Sequence, residues 1–310
     1  MARSAIVWVL ALLVLVGALA RAEEKAGPVA EYKTFLASLP KDDPASITKA
    51  IDQYRTAIVP LDMDKHVNAF LEFFDFHEDV CNGVDKALWE ELTHNGVIGV
   101  PDDDSEVVKQ LRRHGLEIRG NGPDGFYVGG VPAYIPEMFS PFLPRSIQRY
   151  LELRLAEMRE GYQVDAGLKI SYARLAQRVA NWERYLRNYP GSPVHTEALV
   201  LRGQYLLDLL FGMNNSPLDP ATEDRSNNIR VVYEDYLRAH PGSYSARLVS
   251  AQYKHLKKTG YLNKTLDDDI RSIPWKRYDE VKAHLDRTVH LDRYRVDISS
   301  GYRAVKIEQK

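Results

Sequence analysis

Apolar residues recur at helical spacing along most of the chain. In the N-terminal half, one such helical face carries Val67, Phe70, Leu71 and Phe74. Stretches with the same period follow at residues 147–158, 172–186, 229–237 and 278–289. Spacing of i, i+3, i+4 and i+7 places apolar side chains on one face of a helix, where they can be buried. The pattern predicts a mostly α-helical fold.

Residues 115–135 break this pattern. Apolar and polar positions alternate at 116–118 and again at 126–128, and a glycine-rich segment separates the two runs. The pattern predicts a β-hairpin. The segment 120–125 also matches G-x-G-x-x-G, but an apparent strand follows it where a dinucleotide site needs a helix, so a hairpin turn is the favoured interpretation. No cofactor is expected.

The pattern divides the chain into regions. We expect an N-terminal helical region over 23–114, a β-hairpin and irregular connector over 115–143, a helical region over 144–298, and a tail over 299–310. Prolines after residue 131 favour the irregular connector, because proline cannot donate a backbone hydrogen bond.

The C-terminal half contains an internal repeat. Residues 182–192 read WERYLRNYPGS and residues 233–243 read YEDYLRAHPGS, so seven of eleven positions are identical. The turn residues are Pro190, Gly191 and Ser192 in the first unit and Pro241, Gly242 and Ser243 in the second. Proline and glycine end the first helix, and serine can cap the next one. Each unit is therefore predicted to be a helix–turn–helix pair, and the pairs stack to bury a shared core.

The pattern Y-L-R-x-[YH]-P-G-S, followed by a second helix that contains alanine, resembles tetratricopeptide-like repeats of bacterial envelope proteins. The resemblance covers about residues 168–260 and does not extend to the N-terminal half. It implies a scaffold that binds another exported or envelope protein. The two units lie 51 residues apart, more than the roughly 34 of a standard unit. An inserted loop over 212–224 accounts for the excess.

The first 22 residues have the three parts of a secretory signal peptide. Arg3 supplies the positive charge, residues 5–19 form an apolar run, and residues 20–22 read A-R-A, a cleavage site. Cleavage is expected between Ala22 and Glu23. The apolar run is shorter than the ~20 residues that a membrane-spanning helix needs. We therefore expect a secreted or periplasmic protein without stable membrane insertion after cleavage.

Composition narrows the possible partners. The chain has 41 basic and 43 acidic residues, a formal charge of −2. Without a basic excess, binding to the phosphate backbone of a nucleic acid is not expected.

The apolar fraction of 45% is typical of a folded protein, and the single cysteine excludes an internal disulfide.

One cluster of residue types could carry chemistry. His77, Glu78 and Cys81 resemble H-E-x-x-H with cysteine in the last position, and His66 lies three turns earlier on a similar side. Imidazole and thiolate are zinc ligands, so His66, His77 and Cys81 are candidate metal ligands. A second histidine is missing, and the acidic neighbours of Cys81 raise a thiol pKa. The favoured interpretation is a surface histidine and a buried, inert thiol, with no catalytic residue assigned.

These observations favour an exported, non-enzymatic scaffold that binds another protein or an envelope component. Two alternatives stay open. One is an exported metal-dependent or hydrolytic enzyme with a site in the N-terminal half. The other is a protein that binds a small ligand or carbohydrate between the two halves.

Overall fold

The computed structural model describes residues 27–94, 101–120, 126–263, 282–283, 294–296 and 304–306. Ten α-helices and three short two-stranded antiparallel sheets form within these residues. The predicted mostly α-helical fold with a small β-hairpin is confirmed. Among the same residues, no helix combines the length and the apolar character needed to cross a membrane.

Three helices build most of the N-terminal half. They are α1, Pro28–Ser38; α2, Ala45–Ala57; and α3, Met63–His94. α3 is continuous over its 32 residues. Gly83 lies in its middle, where an added Cβ would come within 2.4 Å of the carbonyl oxygen of Lys41. Glycine therefore allows α3 to approach the α1–α2 connection closely and does not end the helix.

Aromatic side chains dominate the core against which α3 packs. The buried phenyl rings belong to Phe70, Phe73, Phe74, Phe76 and Phe139. The ring centroids of Phe73 and Phe139 lie 4.5 Å apart, and those of Phe70 and Phe74 lie 5.1 Å apart. Helical spacing of three and four residues brings the α3 rings to neighbouring positions. We call this set the phenylalanine core.

A short helix and the hairpin follow. They are α4, Glu106–Arg113; β1, Leu116–Gly120; and β2, Phe126–Gly130. Ser105 caps α4, since its side chain accepts a hydrogen bond from the backbone N–H of Val108. Strand alternation gives the hairpin two faces. The inner face includes the buried side chains of Leu116, Phe126 and Val128. The outer face includes the partly exposed side chains of Glu117, Arg119 and Tyr127.

The connector is more ordered than the sequence predicted. It contains α5, Tyr134–Phe139, and a 3₁₀ helix, Ser140–Phe142, before α6, Arg145–Glu160. Pro136 lies in the first turn of α5, where the backbone N–H has no intrahelical partner. The prolines are therefore compatible with helical turns. Buried Ile135 and Phe139 anchor α5 in the core.

The second half is built mainly from four helices. Its elements are β3, Gln163–Val164; β4, Gly167–Leu168; α7, Tyr172–Asn188; α8, His195–Phe211; α9, Ile229–Ala239; α10, Tyr244–Lys258; and a 3₁₀ helix, Tyr261–Asn263. α7 packs along α8, and α9 packs along α10. Both α9 and α10 also contact α7, and α8 is buried on most sides.

The two Pro-Gly-Ser turns differ in detail. Ser243 caps α10 by accepting a hydrogen bond from the N–H of Ala246, as predicted. Ser192 does not cap α8, because Pro193 follows it and α8 begins only at His195. Its hydroxyl instead lies 2.7 Å from the hydroxyl of Tyr185.

Near the C-terminus, β5, Tyr294–Val296, pairs antiparallel with β6, Ala304–Lys306. β6 lies in the segment expected to be a tail, whereas β5 is a strand at the end of the region 144–298 that was expected to be helical. Only residues 282–283 of the predicted last helix are described, and both are helical. The predicted signal peptide and the cleavage site at Ala22 and Glu23 lie outside the described residues.

Candidate functional site

The three candidate metal ligands lie in two different surroundings. The Nδ1–H of His66 donates to the carbonyl oxygen of Phe142 at 2.9 Å. The Nδ1 of His77 lies 3.8 Å from the Sγ of Cys81. The expectation that His77 is a surface residue is wrong, since its ring is only 2% exposed. It packs in the phenylalanine core beneath Gly130, where an added Cβ would come within 2.7 Å of the ring.

Burial sets the charge state of this pair. It lowers the pKa of His77 to about 4, so the imidazole is neutral near pH 7. Burial, together with the charge of Glu78, raises the pKa of the Cys81 thiol well above its usual value. Within the described part of the chain, no group of three or more His, Cys, Asp or Glu side chains could hold a metal ion.

A cleft of about 450 Å³ lies elsewhere, between the outer face of the β1–β2 hairpin and the connection from α6 to α7. We call it the hairpin cleft. Its polar lining comes from Glu117, Arg119, Tyr127, Tyr162, Asp165 and Lys169. It therefore joins a surface of the N-terminal half to one of the C-terminal half.

Arg119 is held rigidly at one side of the cleft. Its Nε donates to Glu117 at 2.8 Å, and its Nη2 donates to the carbonyl oxygen of Gly130 at 2.7 Å. The guanidinium lies over Gly129, where an added Cβ would be 3.6 Å away. Because the Arg119 side chain is already immobilised, it would lose little conformational entropy when a ligand binds to it.

The opposite side of the cleft is a strained turn. Asp165 and Ala166, which join β3 to β4, have φ angles of +46° and +53°. A left-handed conformation costs a residue with a Cβ about 1–2 kcal/mol. Asn215 holds the turn, since its backbone N–H donates to the carbonyl oxygen of Ala166 at 3.1 Å. Val164 beside the turn is 56% exposed. Strain of this kind concentrates at functional sites.

A buried polar network lies beneath the cleft. Glu157 on α6 accepts three hydrogen bonds: from Trp182 Nε1 at 2.7 Å, from Arg154 Nη1 at 2.9 Å and from the Tyr205 hydroxyl at 3.0 Å. All four side chains are at most 5% exposed. Three donors offset much of the cost of burying the carboxylate. We call this set the Glu157 network.

Arg178 connects the Glu157 network to the cleft. Its Nη2 donates to the carbonyl oxygen of Gly161 at 2.7 Å and to the carboxylate of Glu160 at 3.0 Å. Gly161 ends α6 with a φ of +74° and lines the cleft. The buried arginine thereby fixes the backbone at the floor of the site.

Tyr162 also reaches from the cleft into the interior. Its hydroxyl donates to Asp208, which accepts a second hydrogen bond from Gln204 at 3.0 Å. Burial raises the pKa of Asp208 to about 6, although both hydrogen bonds favour the charged form. A carboxyl group that titrates near pH 6 therefore lies directly behind the cleft.

The residues that organise this site were not predicted from the sequence. Arg154 and Glu157 lie on the same helical face as Ile147 and Tyr150, so charged residues within an apolar stripe were an available signal. The strained turn had no such signal, because Asp-Ala is not a typical sequence for positive φ angles.

Comparison of the chain with protein-family models, with curated proteins and with solved structures found no match.

Proposed function

We propose that this protein is an exported, non-enzymatic scaffold that binds another envelope protein through stacked, tetratricopeptide-like helix pairs. The pairs are α7–α8 and α9–α10. The observation that carries the proposal is that residues 233–243 of the second pair repeat residues 182–192 of the first, with their aromatic positions buried alike, and that the second pair packs on the first.

The likeness of the two pairs extends to individual side chains. The buried aromatic positions of α7, Trp182 and Tyr185, correspond at the 51-residue separation to Tyr233 and Tyr236 of α9, which are also buried. In the second helices, Ala198 corresponds to Val249, and both are fully buried. At these three positions the two pairs are therefore buried alike, as expected for repeat proteins.

Specific contacts hold the second pair against the first. The carboxylate of Glu183 on α7 accepts a hydrogen bond at 3.2 Å from the backbone N–H of Ser245, at the start of α10. A negative charge is favourable at a helix N-terminus. The guanidinium of Arg202 on α8 lies 4.4 Å from the ring centroid of Tyr244. Such stacking produces the extended surfaces with which repeat proteins bind partners.

Photo-crosslinking in the organism of origin tests the scaffold. A photoreactive residue replaces Arg184 or Arg238, which are exposed on the helix pairs. In the matched controls it replaces Lys65 or Lys86, which are exposed on α3. We expect one or two envelope proteins to be captured in high yield from the helix pairs and not from α3. Equal capture from α3, or no capture from either region, would contradict the proposal.

Export is tested separately by N-terminal sequencing of the protein isolated from cells. We expect the mature chain to begin at Glu23. Retention of residues 1–22 in a membrane fraction would contradict cleavage.

A second candidate function is the binding of a small ligand or carbohydrate in the hairpin cleft. The volume of about 450 Å³, the preorganised Arg119 and the partly exposed Tyr127 favour it. A thermal-shift panel of neutral and acidic oligosaccharides tests it. We expect a ligand to stabilise the wild type and a Lys49→Ala control, and to lose its effect in Lys169→Ala and Tyr127→Ala. No stabilisation by any sugar in the panel would count against carbohydrate binding.

A further inference from the structure

A second concave surface lies at the outer face of the last described helix pair. It is a groove of about 460 Å³ between the end of α9 and α10. Its floor is formed by Leu237, Ala246, Ser250 and Ala251, and its rim carries Arg247 and Lys254. We call it the α10 groove. Small side chains in the floor allow the backbone of another helix to approach closely.

The charge of the groove has one sign. α10 contains Arg247, Lys254, Lys257 and Lys258 and no acidic residue. The nearby acids of α9 are already engaged, since Glu234 accepts a hydrogen bond from Tyr253 and Asp235 pairs with Arg238 at 2.8 Å. Lys254 and Lys258 are exposed and form no ion pair with a residue that the structure describes.

The first helix pair shows that the corresponding face is a packing surface. Val200, Gly203 and Leu207 of α8 are buried. Their counterparts at the 51-residue separation are Ala251, Lys254 and Lys258 of α10, and all three are exposed. Within the part of the chain that the structure describes, the face that is covered in the first pair is therefore exposed in the second, where it carries two lysines.

We propose that the α10 groove binds an acidic amphipathic helix of a partner protein, an inference that rests on the proposed scaffold function and names its binding surface. Arg247 and Lys254 lie seven residues apart, which is about 10.5 Å along the helix axis. Glutamates at the same spacing on the partner helix would face both cations, and an apolar stripe between them would cover the small-residue floor. Complementary charge of this kind fixes register and specificity.

The test uses the full mature chain and two fluorescent peptides of about 18 residues, roughly 27 Å as helices. Both carry the same leucine and alanine stripe, flanked by glutamates in one and by lysines in the other. Anisotropy titrations then measure binding at low and high salt. We expect the glutamate peptide to bind, the lysine peptide not to bind, and salt to weaken the complex.

Two variants locate the binding. The double variant Arg247→Glu and Lys254→Glu should lower the affinity for the glutamate peptide about tenfold or more. The same variant should bind the lysine peptide, which the wild type does not bind. Ala251→Trp fills the groove without a change of charge and should also weaken binding. The control Lys65→Glu and Lys86→Glu makes the same charge change on exposed positions of α3 and should bind like the wild type. Circular dichroism checks that each variant is folded.

Several outcomes would overturn the inference. One is failure of the glutamate peptide to bind in the titration, and another is a loss of peptide affinity in the α3 control as large as in the groove variants. Self-association of the protein through the groove in sedimentation, or binding to anionic phospholipid vesicles in place of the peptide, would also contradict the inference. If crosslinking from Arg184 or Arg238 still captures a partner, only the groove assignment fails. If the peptide binds but crosslinking captures nothing, the scaffold proposal fails instead.

Discussion

The two halves of the molecule are both helical, but they bury different chemistry. The phenylalanine core of the N-terminal half relies on apolar ring contacts among α3 and α5. The Glu157 network of the second half places a carboxylate and an arginine, each at most 5% exposed, among a tryptophan and a tyrosine. Similar helices can therefore surround very different interiors.

This difference shows what each half requires of its sequence. Apolar rings interact with little directional preference, so the phenylalanine core depends chiefly on volume and shape. The Glu157 network depends on the presence of every partner, because a buried charge without its counter-charge is strongly destabilising. The following substitutions test the contrast, beginning with the largest expected effect.

Glu157→Ala should destabilise the protein most, by about 5 kcal/mol, the upper end of the range for a broken buried ion pair. It removes the acceptor for Arg154, Trp182 and Tyr205 at once. Urea unfolding measures the change. Glu152→Ala removes an exposed carboxylate from the same helix, paired with Arg145 and Arg149, and should cost at most about 1 kcal/mol. Equal losses in the two variants would refute the structural role of the network.

Phe70→Ala should cost about 4 kcal/mol through loss of apolar burial and formation of a cavity. Phe70 is fully buried and contacts the rings of Phe74 and Phe139. Phe70→Leu keeps part of the volume and should cost less than half as much. Denaturant unfolding of both variants provides the measurement. If leucine is as disruptive as alanine, volume does not govern this core.

The two interiors should respond to pH in opposite directions. His77 has a folded-state pKa of about 4, below its ordinary value of 6.5, so its contribution to stability is lost as pH falls from 6.5 towards 4. Asp208 has a folded-state pKa of about 6, above its ordinary value of 3.8, so its contribution is lost as pH rises from 4 towards 6. Each effect amounts to at most about 3 kcal/mol.

Unfolding free energies between pH 4 and pH 7 separate these contributions. On acidification, Asp208→Asn should lose stability more steeply than the wild type. The variant lacks the stabilising contribution of Asp208 at low pH, so the destabilising effect of His77 is no longer offset. His77→Leu should shift the profile in the opposite sense. Parallel profiles for the two variants would show that the groups do not titrate as their burial implies.

The smallest effect concerns backbone strain. In the N-terminal half, the positive φ angle of +77° is taken by Gly115, whereas in the second half Asp165 and Ala166 also take positive values. Ala166→Gly should therefore stabilise the protein by about 0.5–1 kcal/mol, after allowance for the greater flexibility of glycine when unfolded. The comparison variant Gly115→Ala should have the opposite sign, since its Cβ would lie 2.2 Å from the ring of Tyr134. Thermal unfolding distinguishes the two signs.

Local patterns predicted local structure well. Alternation identified the β1–β2 hairpin, and helical spacing identified α6, α7 and α9 to within a few residues of their bounds. Predictions that depended on distant contacts were less accurate. His77, expected at the surface, is buried because Gly130 of the hairpin lies above its ring.

The helical class, the hairpin, and the correspondence between residues 182–192 and 233–243 could be predicted from the chain alone. Each depends on neighbours within a few turns or on direct identity. The polar groups that are buried together could be identified only from the packing of the helices. Glu157 meets Trp182 and Tyr205 across three helices, and the hairpin cleft forms where two halves of the chain meet. Hydrogen bonds and burial between residues far apart in the chain depend on the packing of complete helices, which local periodicity does not specify.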